Sequence, residues 1–232
     1  MLDNKHVTAV ITAAGNGSRM NSKINKPFIE ICGKMIIEMT LDKICQVDEI
    51  DDIILVIRQT DEDNIKRIIK NYKKPITYVY GGKTREHSTF HGLKALSEKC
   101  DIVLTHDGVR PFVKAETIRK ALYEIRDYKA VIVGVKSKDT VKIIRKDMTV
   151  NYTPKRKYVY NIQTPQVFEK DKLIELYEKY LEENVQMTDD SSLFEIFQIF
   201  DVAVKVVEGE YSNIKITTIE DVFFGKAMME LK

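Results

Sequence analysis

The feature that most constrains this chain is an alternation. Short, continuous, β-branched apolar runs are followed, repeatedly, by longer segments with helical spacing. HVTAVITA, DDIILVIR, PITYVYGG, DIVLTHDG and AVIVGV read as buried strands. Between them, KMIIEMTLDKICQV, DEDNIKRIIKNY, REHSTFHGLKAL and KAETIRKALYEIRDY read as helices. Buried strands cannot alternate, one after another, with amphipathic helices unless the strands run parallel and the helices cover both faces. The fold class is therefore α/β, with a mostly parallel sheet flanked by helices.

The pattern breaks from about Ser137 to Tyr160. SKDTVKIIRKDMTVNYTPKRKYVYNI carries β-type alternation, many lysines and no long helix, and is expected to form an extended antiparallel arm. Regular order returns with DKLIELYEKYLEE, SSLFEIFQIF, the strands AVKVVEG and NIKIT, and a last helix, IEDVFFGKAMMEL. The whole of 1–232 is read as one domain with that excursion, a length sufficient to bury a core.

Composition narrows the class. The chain is 44% apolar and 31% charged, and its formal net charge is +2, so neither disorder nor a whole-surface polyanion binder is indicated and no nucleic-acid partner is expected. No run reaches the roughly 18–20 apolar residues of a membrane span. Cys32, Cys45 and Cys100 are sparse, odd in number and widely separated, which argues against disulfides and zinc. Cys45 fits core packing. A cytoplasmic setting is the simplest reading.

Which anion, then, does AVITAAGNGSRMNSKINKP hold, from Ala9 to Pro27? Gly15 and Gly17 follow the first strand, where backbone N–H groups can approach a charged ligand. A dinucleotide fingerprint needs a third glycine where Met20 stands, which disfavours a dehydrogenase, and the phosphate-loop pattern with its Gly-Lys-Ser/Thr ending is absent. The segment is too long to turn directly into a helix. It is expected to drape over a ligand with Arg19, Lys23 and Lys26 facing inward, at the strand ends where open α/β sheets bind ligands. The bland alternative is a glycine-rich surface turn.

Further constellations follow other strands. In THDGVRPF, Asp107 could enter a magnesium shell and Arg110 could pair with a phosphate; an Asx-turn with a proline stop is the competing reading. In GGKTREHST, Gly82 and Ser88 could read a base or ribose, or simply form a turn and a helix cap. QTPQ reads as a turn and TDDSS as a helix cap. Lys215 in NIKIT is either a solvated edge residue or points into a site. His106 and Asp107 are adjacent on a strand and face opposite sides, and no nucleophile elbow exists, so covalent catalysis by a triad is not supported. Cations, backbone amides and one or two acids are the tools of phosphoryl or nucleotidyl transfer, where positioning and charge stabilisation carry the reaction.

AAGNGSRM with Lys26, GGKTREHS, HDGVRP, KDTVK, QTPQVF, TDDSS and VEGEYSNIKIT occur in this order across nearly the whole chain. Together they resemble the 2-C-methyl-D-erythritol 4-phosphate cytidylyltransferases of the non-mevalonate isoprenoid pathway. The resemblance implies a Rossmann-like nucleotidyltransferase fold, magnesium, CTP and a sugar-alcohol phosphate as substrates, and a homodimer whose arms complete each other's sites. It places CTP under Ala13, Ala14, Gly15 and Gly17, with Gly82, Ser88 and Asp107 as further nucleotide contacts and Asp107 as a metal contact. Arg19, Lys26 and Lys215 become the catalytic cations. Arg110, Thr140, Arg156 and Lys215 hold the acceptor phosphate, with Thr140 and Arg156 coming from the partner's arm. Two positions depart from the family pattern: Pro27 stands where glutamine is usual, and Lys83 where an acid is frequent. Ribitol-5-phosphate cytidylyltransferase shares several of these features, and THDGVRPF leans its way, while KDTVK, TDDSS and VEGEYSNIKIT lean toward the isoprenoid enzyme. A non-catalytic nucleotide-binding module is the alternative of another class; it would have no need of both Arg19 and Lys26.

Overall fold

A computed structural model of the chain describes residues 1–15, 25–183, 185–199 and 202–230. Along the chain run β1 (His6–Thr12), β2 (Glu30–Ile31), β3 (Lys34–Met35), α1 (Ile36–Cys45), β4 (Asp52–Ile57), α2 (Glu62–Ile69), β5 (Ile76–Tyr80) and α3 (Arg85–Lys94). They are followed by β6 (Cys100–Asp107), α4 (Ala115–Glu124), β7 (Ala130–Lys136), β8 (Ile143–Ile144), β9 (Val150–Tyr152) and β10 (Tyr160–Glu169). The last elements are α5 (Lys170–Glu182), α6 (Ser192–Ile196), β11 (Val204–Glu208) and α7 (Ile219–Glu230).

Seven strands form one sheet in the order β11-β7-β10-β6-β1-β4-β5. All neighbours are parallel except β10, which runs antiparallel between β6 and β7. Val7, Ala9 and Ile11 of β1 pack against α1, α2 and α4, whereas Val10 points the other way, toward α3, α5 and α6. Period-two alternation thus buries the central strands on both sides, which is why they read as unbroken apolar runs. The expected doubly covered, mostly parallel sheet is what forms. At Gly92 a Cβ would lie 2.5 Å from Val10 Cγ1, so the glycine lets α3 settle close on the sheet.

Strand order also locates the crevice. The chain steps outward from β1 to β4 to β5 with α1 and α2 on one face, then returns through α3 on the opposite face to place β6 beside β1. That reversal opens a crevice beyond the carboxyl ends of β1 and β6.

Three sequence expectations change. NIKIT is not a strand: Ile214 and Ile216 pack in a small cluster with Ile31, Ile36 and Phe112, and a single backbone bond joins Ile216 N–H to Val109 O at 2.9 Å. QTPQ is not a turn but lies inside β10, at the point where the register against β7 shifts between Gln163 and Gln166. Proline lacks an N–H, and an interrupted ladder demands none there. The arm is mostly irregular, with only β8 and β9 paired antiparallel, and its last residues begin β10. Thr140 precedes β8 rather than lying in a strand.

Candidate functional site

The crevice holds a cleft of about 320 Å³. Ala13, Ala14, Gly15, Lys26, Gly82, Ser88, Asp107 and Lys215 line it, all expected site residues. Its walls are set by strand ends. Gly108 N–H donates to Thr12 O at 2.9 Å, Ala13 N–H to Val56 O at 2.7 Å and Gly81 N–H to Ile57 O at 2.8 Å, so three loops leave the sheet from fixed positions. A Cβ on Gly81 would lie 2.4 Å from that of Ala14, and the two loops touch because none is present. Thr84 caps α3 by accepting from His87 N–H, and Ser88 Oγ accepts from Gly82 N–H at 3.1 Å while donating to Thr84 O at 2.8 Å. Ser88 thereby shapes the Gly82 turn as well as facing the cleft.

Asp107 ends β6 and is 6% exposed. Its Oδ2 accepts from Arg110 Nε at 3.1 Å and its Oδ1 from Lys215 Nζ at 2.9 Å. Burial alone would raise its pKa. Lys215, Arg110 and Arg85 more than offset that and hold the carboxyl well below the usual carboxylate range. His106, on the other side of the strand, is buried, and burial pushes its pKa down to about 4. The neutral ring donates from Nε2 to Arg110 O and accepts at Nδ1 from the Thr164 hydroxyl, which itself accepts from Asp107 N–H. Arg110 also donates from Nη1 to Asn213 O at 2.8 Å. A histidine, a threonine and an asparagine thus fix the acid and its arginine.

A second cavity of about 350 Å³ adjoins the cleft. Arg85, Asp107 and Lys215 face both cavities, while Arg110, Gln166 and Asp189 line only the second. Arg85, at the start of α3, was not singled out in the sequence. Its Nη1 stands 3.7 Å from buried Asp190, which accepts a 2.6 Å hydrogen bond from Tyr177. TDDSS does serve as a cap, since Asp189 accepts from Ser192 N–H at 3.0 Å; its second acid has the separate role of facing Arg85. No local pattern signals a partner so distant in the sequence.

Not every expected residue joins the cleft. Thr140 and Arg156 are exposed on the arm, joined to each other by a 2.9 Å hydrogen bond, and line neither cavity. Gly17, Arg19 and Lys23 lie outside the described residues. Asp107 is poorly suited to be a metal ligand, because cations already occupy both its oxygens. Among the described residues no group of three or more His, Cys, Asp or Glu side chains could hold an ion. Among the described residues the donor set does not fit a resident metal.

A site of converging cations, glycine turns and one buried acid is the arrangement whose sequence motifs were matched above. The model of the family IspD, 2-C-methyl-D-erythritol 4-phosphate cytidylyltransferase, matches residues 7–231. The chain belongs to the 2-C-methyl-D-erythritol 4-phosphate cytidylyltransferase family. It is accordingly an enzyme of the nucleotidyltransferase class. The family member from Clostridioides difficile (strain 630) is 42% identical over 228 residues, spanning 97% of this chain and 94% of that protein. The one from Caldanaerobacter subterraneus subsp. tengcongensis is 40% identical over 97% of this chain and 99% of its own. The crystal structure of 4-diphosphocytidyl-2C-methyl-D-erythritol synthase from Anaerococcus prevotii DSM 20548 superposes with a TM-score of 0.92 at 55% identity, covering 99% of this chain and 98% of that one. The family relation accounts for the ordered motifs and for the Rossmann-like nucleotidyltransferase fold. Pro27, one of the two positions set apart in the sequence, is the buried second residue of a 3₁₀ turn, Lys26–Phe28, where its missing N–H costs no hydrogen bond.

Proposed function

We propose that the cleft holds CTP and that the adjoining cavity holds 2-C-methyl-D-erythritol 4-phosphate, with Asp107 and Lys215 at their junction. The observation that carries this reading is the sharing of Asp107, Lys215 and Arg85 by the two cavities. A phosphate bound in one would meet the α-phosphorus of a nucleotide in the other.

A phosphate oxygen of the acceptor attacks the α-phosphorus. The new P–O bond forms as the bond to the β-phosphate breaks, leaving CMP on the acceptor and releasing pyrophosphate. A phosphate monoester is largely ionised at neutral pH, so no strong base is required. Arg19 and Lys26 offset the negative charge on the triphosphate side. Lys215, held by Asp107, and Arg110 orient the acceptor phosphate. Ala13, Ala14, Gly15, Gly17, Gly82 and Ser88 take the nucleotide. The expected magnesium belongs to the triphosphate rather than to a protein site.

The arm supports a homodimer. Ile144, Met148, Val150 and Tyr152 are exposed apolar side chains on an excursion that carries Thr140 and Arg156. Burying them against a second copy would deliver that pair to the partner's acceptor cavity. No helix among the described residues is long and apolar enough to cross a membrane; the cytoplasmic setting rests on the sparse, unpaired cysteines of the sequence.

The test supplies purified protein with CTP, magnesium and either methylerythritol phosphate or ribitol phosphate, and measures pyrophosphate. Rapid release with the first acceptor is expected. Preference for ribitol phosphate would overturn the acceptor assignment, and turnover with neither would favour the non-catalytic reading.

A further inference from the structure

Behind the cleft lies a polar junction that neither cavity touches. Asn25 is 6% exposed and Asp61 is 5% exposed. Asn25 Nδ2 donates to Asp61 Oδ2 at 2.6 Å and reaches Ala13 O at 3.4 Å. Arg58 grips the same carboxylate with two bonds, Nε to Oδ2 at 2.9 Å and Nη2 to Oδ1 at 3.1 Å. Ala13 stands at the entry of the glycine loop and Asn25 near its exit, while Arg58 and Asp61 come from the turn between β4 and α2. Three parts of the chain, distant in sequence, therefore meet at one carboxylate. Asn25 Oδ1 is buried and has no hydrogen-bond partner among the described residues, so Asn25 is held through its Nδ2 bonds.

We propose that Arg58, Asp61 and Asn25 form a clamp that positions Lys26 against the triphosphate. None of the three lines a cavity, so they are positioning residues acting through Lys26 rather than contacts to substrate. Lys26 is the next residue after Asn25 and faces the cleft. Its own backbone is bounded on one side by the clamped Asn25 and on the other by Pro27, whose ring fixes φ. Asn25 O also accepts from Phe28 N–H at 2.9 Å, closing the turn around Lys26. A lysine stem is long and flexible, and its charge lowers a barrier only when it is held where charge develops. A buried, doubly gripped carboxylate is a rigid place from which to hold it. The purely structural alternative is that Asp61 only starts α2.

The inference rests on the assignment of the cleft to CTP, and the test separates the two. Asn25→Ala, Lys26→Ala and the double variant are compared for kcat at saturating substrates, for CTP affinity by calorimetry, and for thermal midpoint. Asn25→Ala is expected to lower kcat by about tenfold to a hundredfold, the loss expected of a displaced group, with the acceptor KM nearly unchanged and the protein folded. In the Lys26→Ala background it should cost little more in kcat or CTP affinity, because the group it positions is gone. Asp61→Asn keeps the shape without the charge and should show the same dependence on Lys26. Equal losses from Asn25→Ala with and without Lys26, or a loss that merely follows the thermal midpoint, would overturn the clamp while leaving the CTP assignment standing. Normal turnover by Lys26→Ala would overturn both.

Discussion

The Asp107 centre and the arm handle charge in opposite ways. Around Asp107, three cations converge on one buried carboxylate, and hydrogen bonds made with His106, the Thr164 hydroxyl and the Asn213 carbonyl fix the surroundings. On the arm, seven basic and two acidic residues fall between Lys138 and Lys157. There the Thr140–Arg156 pair is exposed, Tyr158 is 72% exposed and Met148 82% exposed. The first region is finished within one chain, its charges already ordered before any substrate arrives. In the proposed homodimer the second becomes half of an interface, and its exposed residues complete a site only against another surface. On the homodimer proposal, preorganisation is provided by the fold in one place and by assembly in the other.

The sharpest way to break this comparison is to remove a cation from the finished centre. Lys215→Ala should lower kcat by about 10²–10³, as loss of one preorganised charge contact does, read as pyrophosphate release, and Lys26→Ala, in the cleft but outside that centre, by a similar factor. Asp107→Asn is expected to act on folding too. Removing one member of a buried ion pair costs about 3–5 kcal/mol, measured as a urea midpoint, whereas Arg156→Ala should leave that midpoint in place.

pH probes the same contrast. The folded protein keeps His106 neutral down to about 4, against an ordinary value of 6.5, so below 6.5 the unfolded chain binds a proton that the folded one refuses. Stability should therefore fall as pH drops from 6.5 toward 4, by up to about 3 kcal/mol. Replacing His106 with glutamine should flatten that part of the stability profile; an unchanged slope would remove His106 as its source. Asp107, with its depressed pKa, keeps its contribution through this window and loses it only at lower pH.

The gentlest perturbation falls on the arm. Thr140→Ala with Arg156→Ala should reduce activity without changing the thermal midpoint. Mixed with a Lys26→Ala subunit, it should recover up to about a quarter of the wild-type rate, because half the dimers are mixed and each has one intact site. No recovery would argue against arm exchange.

Much of this was legible from the sequence. Unbroken apolar strands, helical spacing and glycine turns mark the sheet and the crevice, since each is a local signal, whereas Ala13, Ala14 and Lys215 are assigned to the cleft through the family resemblance. Opacity begins where local signals have two causes. The apolar period of NIKIT reflects packing of Ile214 and Ile216 in a small cluster, not strand pairing. Proline in QTPQ reads as a turn residue, but here it occupies a register shift inside β10. Arg85 with Asp190, and Asn25 with Asp61, are side-chain partnerships made by the topology, and neither partner announces the other.

The cleft's makeup also has a consequence in time. Lys26 precedes Lys215 by 189 residues and Thr217 follows close on Lys215, yet all three line one cleft, and Asn213 O anchors Arg110. During synthesis the central strands and the glycine loop emerge long before Lys215 does. A nascent chain that has not yet reached Lys215 therefore presents Asp107 without one of the cations that grip it. The cleft is complete only when residues 189 positions apart, Lys26 and Lys215, have both been made.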